Sequence, residues 1–333
     1  MRTLGVVLAL LLGGMAYEKL GRSADRRRYP PPGRILSDGS LQLHINEQGT
    51  GMPSVVLESG IAASSLSWTF IQPQIAKFTR VVSYDRAGLG WSGACTVPRT
   101  LPVMLKEFDF LLSAAALPPP YILVGHSYGG LLMRAWAALH PDRVAGLLLL
   151  DPVSLEYWSG CPWLERRRLL FGAHLARRGR LLSHFGIVRA ALMALSHGGR
   201  ALPKVMGYST APLAMSQLES LAGEIRKLPR ETWPLIRAHW SSAKCLGALA
   251  AYLECLPQTA HEALSMAVPA EIPMIVLSAA NATEAELAER NSWIRAGGEA
   301  RHEAIPNTGH WIPFERPDAV VDAVEELVRR VHC

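Results

Sequence analysis

The sequence predicts an α/β fold: a mostly parallel central sheet with helices on both faces and an inserted helical lid. Three observations predict it. Short, wholly apolar runs such as "YILVG" (121–125) and "LLLL" (147–150) read as strands buried on both faces. They alternate with segments of helical periodicity, the rhythm of parallel strands joined by crossover helices. That rhythm stops over residues 153–270, a stretch rich in Leu, Arg and Trp and broken by Gly and Pro, and resumes over 271–333.

Residues 1–28 form a hydrophobic signal or anchor segment with a basic flank. Its apolar stretch, Leu4 to Ala16, has the length of a signal-peptide core and is short for a membrane span. Gly14 and Ala16 offer a small-residue cleavage site, whereas Lys19, Arg22 and Arg26 to Arg28 oppose translocation of the chain beyond them. Membrane association is expected, with a cleaved and exported form as the alternative. Residues 29–34 hold "YPPPG", a stiff linker because consecutive prolines favour the extended polyproline conformation.

The first part of the core spans 35–152. "LQLHINEQG" alternates as a half-buried strand does, and "SVVLESG" is a strand ending in a glycine turn. "SWTFIQPQIAKF" reads as a helix, "TRVVSYDRAG" as a strand and loop, and "TLPVMLKEFDFLLSAA" as a helix. After "YILVG", "GGLLMRAWAALHP" is helical and stops at Pro141, and "VAGLLLLDP" is another buried strand. Beyond the lid, "PMIVLS" and "ARHEAIPN" are strands, and "TEAELAERNSWIRAG" and "DAVVDAVEELVRRV" are helices.

Composition narrows the function. A net charge of +6 over 333 residues, without basic stretches interleaved with aromatics, gives no sign of nucleic-acid binding. Five cysteines, at 95, 161, 245, 255 and 333, form no CxxC pair, so neither a disulfide framework nor a zinc site is expected. "HEALS" at 261 and "HEAIP" at 302 lack the second histidine of a helical metal-ligand pair. No metal site is expected. "GLGWSG" at 88–93 satisfies a dinucleotide spacing, but Pro98 and a polar loop stand where a helix should open.

The chemistry gathers at "VGHSYGG". Gly125-x-Ser127-x-Gly129 lies between a buried strand and a helix, the setting of a nucleophile elbow. The glycines permit a tight turn at the serine, and the helix N-terminus favours a developing oxyanion. A serine hydroxyl needs a base to take its proton. His310, in "NTGHWIPFERP" after the last strand, has the right order and loop setting.

With "ESGIAASSLSW", "YDRAGLGWS", "VGHSYGG", "LLLLDP" and "TGHWIPFERP" in this order, the chain resembles the lid-bearing branch of the α/β-hydrolase superfamily over about residues 35 to 333. The resemblance implies an acyl-enzyme mechanism run by serine, histidine and an acid, without a cofactor. It implies two backbone oxyanion donors, the N–H of Tyr128 and one from the loop after "VVLESG", where Ile61 is the candidate and Ala62 its neighbour. The family's usual His-Gly in that loop is Ser59-Gly60 here, so the loop must be supported differently.

The acid departs from the commonest pattern. The stretch after the seventh strand, "LSAANATEAE", has no aspartate and offers only Asn281, Glu284 and Glu286. Asp151, at the tip of the strand after the elbow, is the first candidate and Glu284 the alternative. Serine at the elbow, where epoxide hydrolases and haloalkane dehalogenases use aspartate, leaves acyl transfer. A carboxylic ester hydrolase is expected. Amide or peptide hydrolysis, C–C bond hydrolysis and a non-catalytic small-molecule binder remain open.

Residues 155–205 hold Arg166, Arg167, Arg168, Arg177, Arg178, Arg180, Arg189, Arg200 and Lys204 against Glu156 and Glu165, interleaved with large apolar residues. That mixture suits a membrane surface and a lipophilic ester, and suits equally a solvated basic face.

Overall fold

Five core segments have strands too apolar to leave either face in water, and they become the middle of one sheet. The computed structural model describes residues 2–196, 230–294 and 300–332. Its strands are β1 (Arg34–Ser37), β2 (Gln42–Gln48), β3 (Ser54–Glu58), β4 (Val81–Asp85), β5 (Tyr121–His126), β6 (Val144–Leu150), β7 (Met274–Ala279) and β8 (Ala300–Ile305). They lie in the order β1-β2-β4-β3-β5-β6-β7-β8. β2 is antiparallel to both β1 and β4, and every other pairing is parallel.

Alternate residues of the parallel strands point to opposite faces. One face presents Val55, Leu57, Ile122, Val124, Leu148, Leu150, Ile275 and Leu277, packed with Trp68, Ile71, Ile75 and the Val320, Val324 and Leu327 stripe of the C-terminal helix. The stripe's spacing of three and four is what places it on a single helical face.

Helices α2 (Gln72–Ile75), α3 (Leu101–Ala114), α4 (Tyr128–Leu139) and α5 (Leu155–Gly160) come in turn. The helix expected over "SWTFIQPQIAKF" is a 3-10 turn at Ser65–Trp68 and then the short α2. Pro73 explains the break, since it has no N–H to give to the carbonyl of Thr69 in a continuous helix. The pairing of β1, a strand with one buried residue, is an addition that its exposed pattern conceals.

The chain divides into two units. One comprises residues 32–163 and 255–333 and contains the whole sheet. The other comprises 1–31 and 164–254 and is helical. Its helices are α1 (Arg2–Arg28), α6 (Trp163–Ser183), α7 (Ile187–Ser196), α8 (Trp233–Trp240) and the start of α9 (Ala243–Leu264). Ala173 and Ala176 of α6 pack on Ala250 with Leu249 and Leu253 of α9. Arg200 and Lys204 of the basic run lie outside the described residues. α10 (Glu284–Ile294), α11 (Ile312–Glu315) and α12 (Pro317–His332) complete the sheet-bearing unit.

Candidate active site

Three strand ends and two loops of the sheet-bearing unit bring the site residues together. Ser127 comes directly after β5 and stands as the residue before α4, with φ 55° and ψ −118°. That positive-φ conformation is strained for a residue with a Cβ. Its backbone is held on both sides: Ser127 N donates to Leu150 O at 2.9 Å, and Ser127 O accepts from Gly130 N at 2.9 Å. The glycines are obligatory for a steric reason. A Cβ on Gly125 would stand 2.5 Å from Gly129 O, and one on Gly129 would stand 2.4 Å from Glu58 O.

Asp151 ends β6 in a second positive-φ conformation, φ 40°. Its Oδ2 lies 2.6 Å from His310 Nδ1. Its Oδ1 accepts from Ala279 N at 3.1 Å and from Arg290 Nη1 at 2.8 Å. Burial opposes its ionisation, but the bonds to His310 and Arg290 more than offset this and hold its pKa at about 2. Glu284 stands exposed at the start of α10. Asn281 and Glu286 belong to the same turn, where Glu286 accepts from Thr283 N at 2.8 Å as an N-terminal cap.

His310 sits in the loop between β8 and α11. The loop is pinned by Thr308, whose Oγ1 donates to Ile305 O at 2.6 Å, and by Gly309 N, which donates to Glu315 Oε2 at 2.5 Å. His126 Nε2 lies 2.8 Å from His310 O and fixes the backbone of that residue to the elbow. Burial, with the neighbouring His310 adding to it, pushes the His126 pKa down to about 3, so the ring is neutral and Nε2 donates. No hydrogen bond joins Ser127 Oγ to His310 among the described residues.

The loop after β3 closes on the elbow: a Cβ on Gly60 would stand 3.2 Å from His126 Nδ1 and 3.5 Å from Ser127 Cβ. Ile61 and Ala62 come next, and Ala62 takes φ 55°. The support that replaces the family's histidine comes from Arg86. Its Nη1 donates to Ser59 O at 2.7 Å and its Nη2 to Gly60 O at 2.6 Å. Arg86 is ion-paired to Glu58, which also accepts from Tyr84 Oη. Burial raises the Glu58 pKa to about 7 in spite of Arg86. Ser59 Oγ adds a bond to Ser64 O at 2.9 Å and accepts from Trp68 Nε1 at 2.9 Å.

Removing Arg86 takes the counter-charge from Glu58 and the donor from the buried Ser59 and Gly60 carbonyls. Arg86→Met alone is therefore expected to destabilise the fold by about 3–5 kcal/mol, and Glu58→Gln/Arg86→Met by clearly less. Denaturant midpoints of the three proteins check this ordering.

The "GLGWSG" stretch does not open a helix. It folds back on Asp85, whose carboxylate accepts from Ser65 N at 2.7 Å and Trp91 N at 2.8 Å, and α3 begins only at Leu101. A Cβ on Gly90 would fall 2.1 Å from Asp85 Oδ2, so this glycine makes room for the carboxylate.

Comparison with known proteins agrees with this architecture. The alpha/beta hydrolase family matches residues 55–323. YqjL of Bacillus subtilis is 36% identical over 115 residues, 34% of this chain and 46% of that protein. The chain thus spans less than half the length of several curated relatives it matches, with shares of 46%, 32% and 16%. The sn-1-specific diacylglycerol lipase ABHD11 of Mus musculus is 25% identical over 296 residues, 86% of this chain and 85% of that one. Among solved structures, the epoxide hydrolase CorEH superposes with a TM-score of 0.60 at 17% identity, over 90% of this chain and 98% of its own. That likeness is one of fold. Because the family match covers most of the sequence and its sheet order, elbow and histidine loop are all in place, the chain belongs to the alpha/beta hydrolase family.

Proposed function

We propose that the protein is a serine hydrolase that cleaves a carboxylic ester with a lipophilic acyl group through an acyl-enzyme intermediate. Ser127 Oγ attacks the ester carbonyl while His310 Nε2 takes its proton. The N–H groups of Tyr128 and Ile61 receive the oxyanion. His310 then returns the proton to the departing alcohol, and water repeats the sequence to release the acid. Asp151 holds His310 in the tautomer with Nδ1 protonated and stabilises the imidazolium. The substrate is a small molecule.

The observation that carries this reading is the 2.6 Å contact of Asp151 Oδ2 with His310 Nδ1, set beside a serine on a strained elbow. Serine, rather than aspartate, at that turn favours acyl transfer. The lipase name of the mouse relative supports a lipid ester, as does the apolar α1, long and apolar enough by composition to cross a membrane.

A fluorophosphonate probe should label the wild type, and kcat/KM should rise along a series of p-nitrophenyl esters of increasing acyl length. Absence of labelling would overturn the serine mechanism. Faster cleavage of short water-soluble esters than of long ones presented in vesicles would overturn the lipophilic substrate.

A further inference from the structure

The N-terminal helix has two unlike halves. From Leu4 to Leu12 its apolar side chains are exposed, Leu4 by 75% and Leu10 by 70%. From Gly14 onward one face is docked, while Met15, Tyr17 and Leu20 remain exposed. Gly14, Glu18, Gly21 and Asp25 recur at spacings of three and four and so share one helical face. That face meets the α6–α7 turn and the start of α7. A Cβ on Gly14 would lie 2.4 Å from Phe185 O, and one on Gly21 2.8 Å from Arg189 Nε. Gly186, at φ +71°, lies so close to Tyr17 that a Cβ would stand 2.5 Å from its ring.

Arg189 closes the seam. It is buried, and donates through Nε to Glu18 Oε2 at 2.8 Å and through Nη1 to Asp25 Oδ2 at 2.5 Å. A buried guanidinium without these carboxylates would be strongly unfavourable, so the face of α1 that carries Glu18 and Asp25 is part of the helical unit's own packing. The candidate cleavage site at Gly14 and Ala16 falls inside this continuous helix.

α6 leaves several of its large apolar residues on its outer side. Its inner face is mostly small, with Ala173, Ala176 and Gly179 beside the half-buried Leu169 and Leu175, whereas Leu164, Leu170, Phe171, Leu181 and Leu182 are exposed. Leu181 is 66% and Ile187 48% exposed, and they flank the turn on which Gly14 rests, where the apolar half of α1 leaves the unit. Arg178 and Arg180 immediately precede Leu181 in the same helix. Large apolar side chains with interspersed arginines match the boundary between acyl chains and anionic headgroups.

We propose that α1 is a built-in helix of the helical unit rather than a removable leader, and that this unit rests on an anionic phospholipid bilayer. Residues 4–12 enter the hydrocarbon, and Leu181, Leu182 and Ile187 sit at its boundary. This deepens the membrane part of the functional reading and stands apart from the ester chemistry.

Two measurements test it on the full chain. Intact mass of protein recovered from cell membranes should retain residues 2–28, and a form starting after residue 16 overturns the proposal. In vesicles of equal phosphatidylcholine and phosphatidylserine carrying a diazirine phospholipid, adducts are expected on residues 4–12 and also on 181–187. Adducts confined to 4–12 overturn the second contact.

Gly14→Leu/Gly21→Leu, which forces α1 off the seam, should lose the 181–187 adducts and keep those on 4–12. Their retention would sink the seam. Leu181→Glu/Leu182→Glu leaves the seam intact and should lose the same adducts, and unchanged adducts there overturn the boundary assignment. None of these readouts needs turnover, so a chain that binds vesicles but hydrolyses nothing retains this inference and loses the ester reading.

Discussion

Ser127→Ala is expected to abolish fluorophosphonate labelling and to lower ester turnover by about 10⁵–10⁶-fold, leaving only the rate that binding and oxyanion donors supply. The effect is large because in the proposed mechanism the serine hydroxyl forms the covalent bond, and alanine has no atom to take its place. The fold should survive. Ser127 is held by backbone bonds to Leu150 O and Gly130 N that alanine keeps. The conformation at φ 55° makes a second variant informative. Glycine adopts that region without steric penalty, so Ser127→Gly should be as inactive as Ser127→Ala yet more stable than the wild type by about 1 kcal/mol. A thermal midpoint that rises as activity disappears is the expected signature of strain kept for function. An inactive but destabilised Ser127→Gly would show that the turn is not strained.

The elbow and the histidine are legible in the sequence because their signals are local. A buried strand, three glycines and the start of a helix mark Ser127 within a short stretch, and chain order together with a loop setting points to His310. The strands of the sheet are legible for the same reason, since a run such as "LLLL" has few other uses. The features that the sequence conceals depend on contacts between distant segments. Arg290 reads as one more charge on a polar helix, yet it is buried and reaches Asp151 Oδ1, Ser278 Oγ and Pro152 O. Glu58 and Arg86 are 28 positions apart, and only pairing of β3 with β4 places the guanidinium under the Ser59 and Gly60 carbonyls. His126 reads as a variable position of the elbow pattern, although it ties His310 to the turn. A charged residue within an otherwise buried strand end, such as Glu58, is the one available hint that a partner exists.

Asp151→Asn is expected to lower kcat by about 10⁴-fold, while Glu284→Gln leaves it unchanged. The contrast arises from the surroundings of each carboxylate. Glu284 is exposed at a helix start, and its amide would remain in solvent. Asp151 Oδ1 faces two donors, Ala279 N–H and the Arg290 guanidinium, and both require an acceptor at that position. An asparagine must therefore place its carbonyl oxygen there and turn its NH₂ toward His310 Nδ1. The imidazole then has to accept at Nδ1, which moves its proton to Nε2, the atom that the proposed mechanism needs unprotonated to activate Ser127.

The same surroundings set the pH dependence. With its pKa lowered to about 2, Asp151 is ionised through the neutral range. Its contribution to stability is complete above the ordinary carboxylate range near 4 and is lost as pH falls through about 2. Asp151→Asn should accordingly be inactive at every pH between about 4 and 9, with no alkaline recovery, because the wrong tautomer is fixed by hydrogen bonds and not by titration. Full activity in Asp151→Asn together with a loss in Glu284→Gln would transfer the role of acid to Glu284. A small, similar effect in both would mean that His310 acts without a carboxylate behind it.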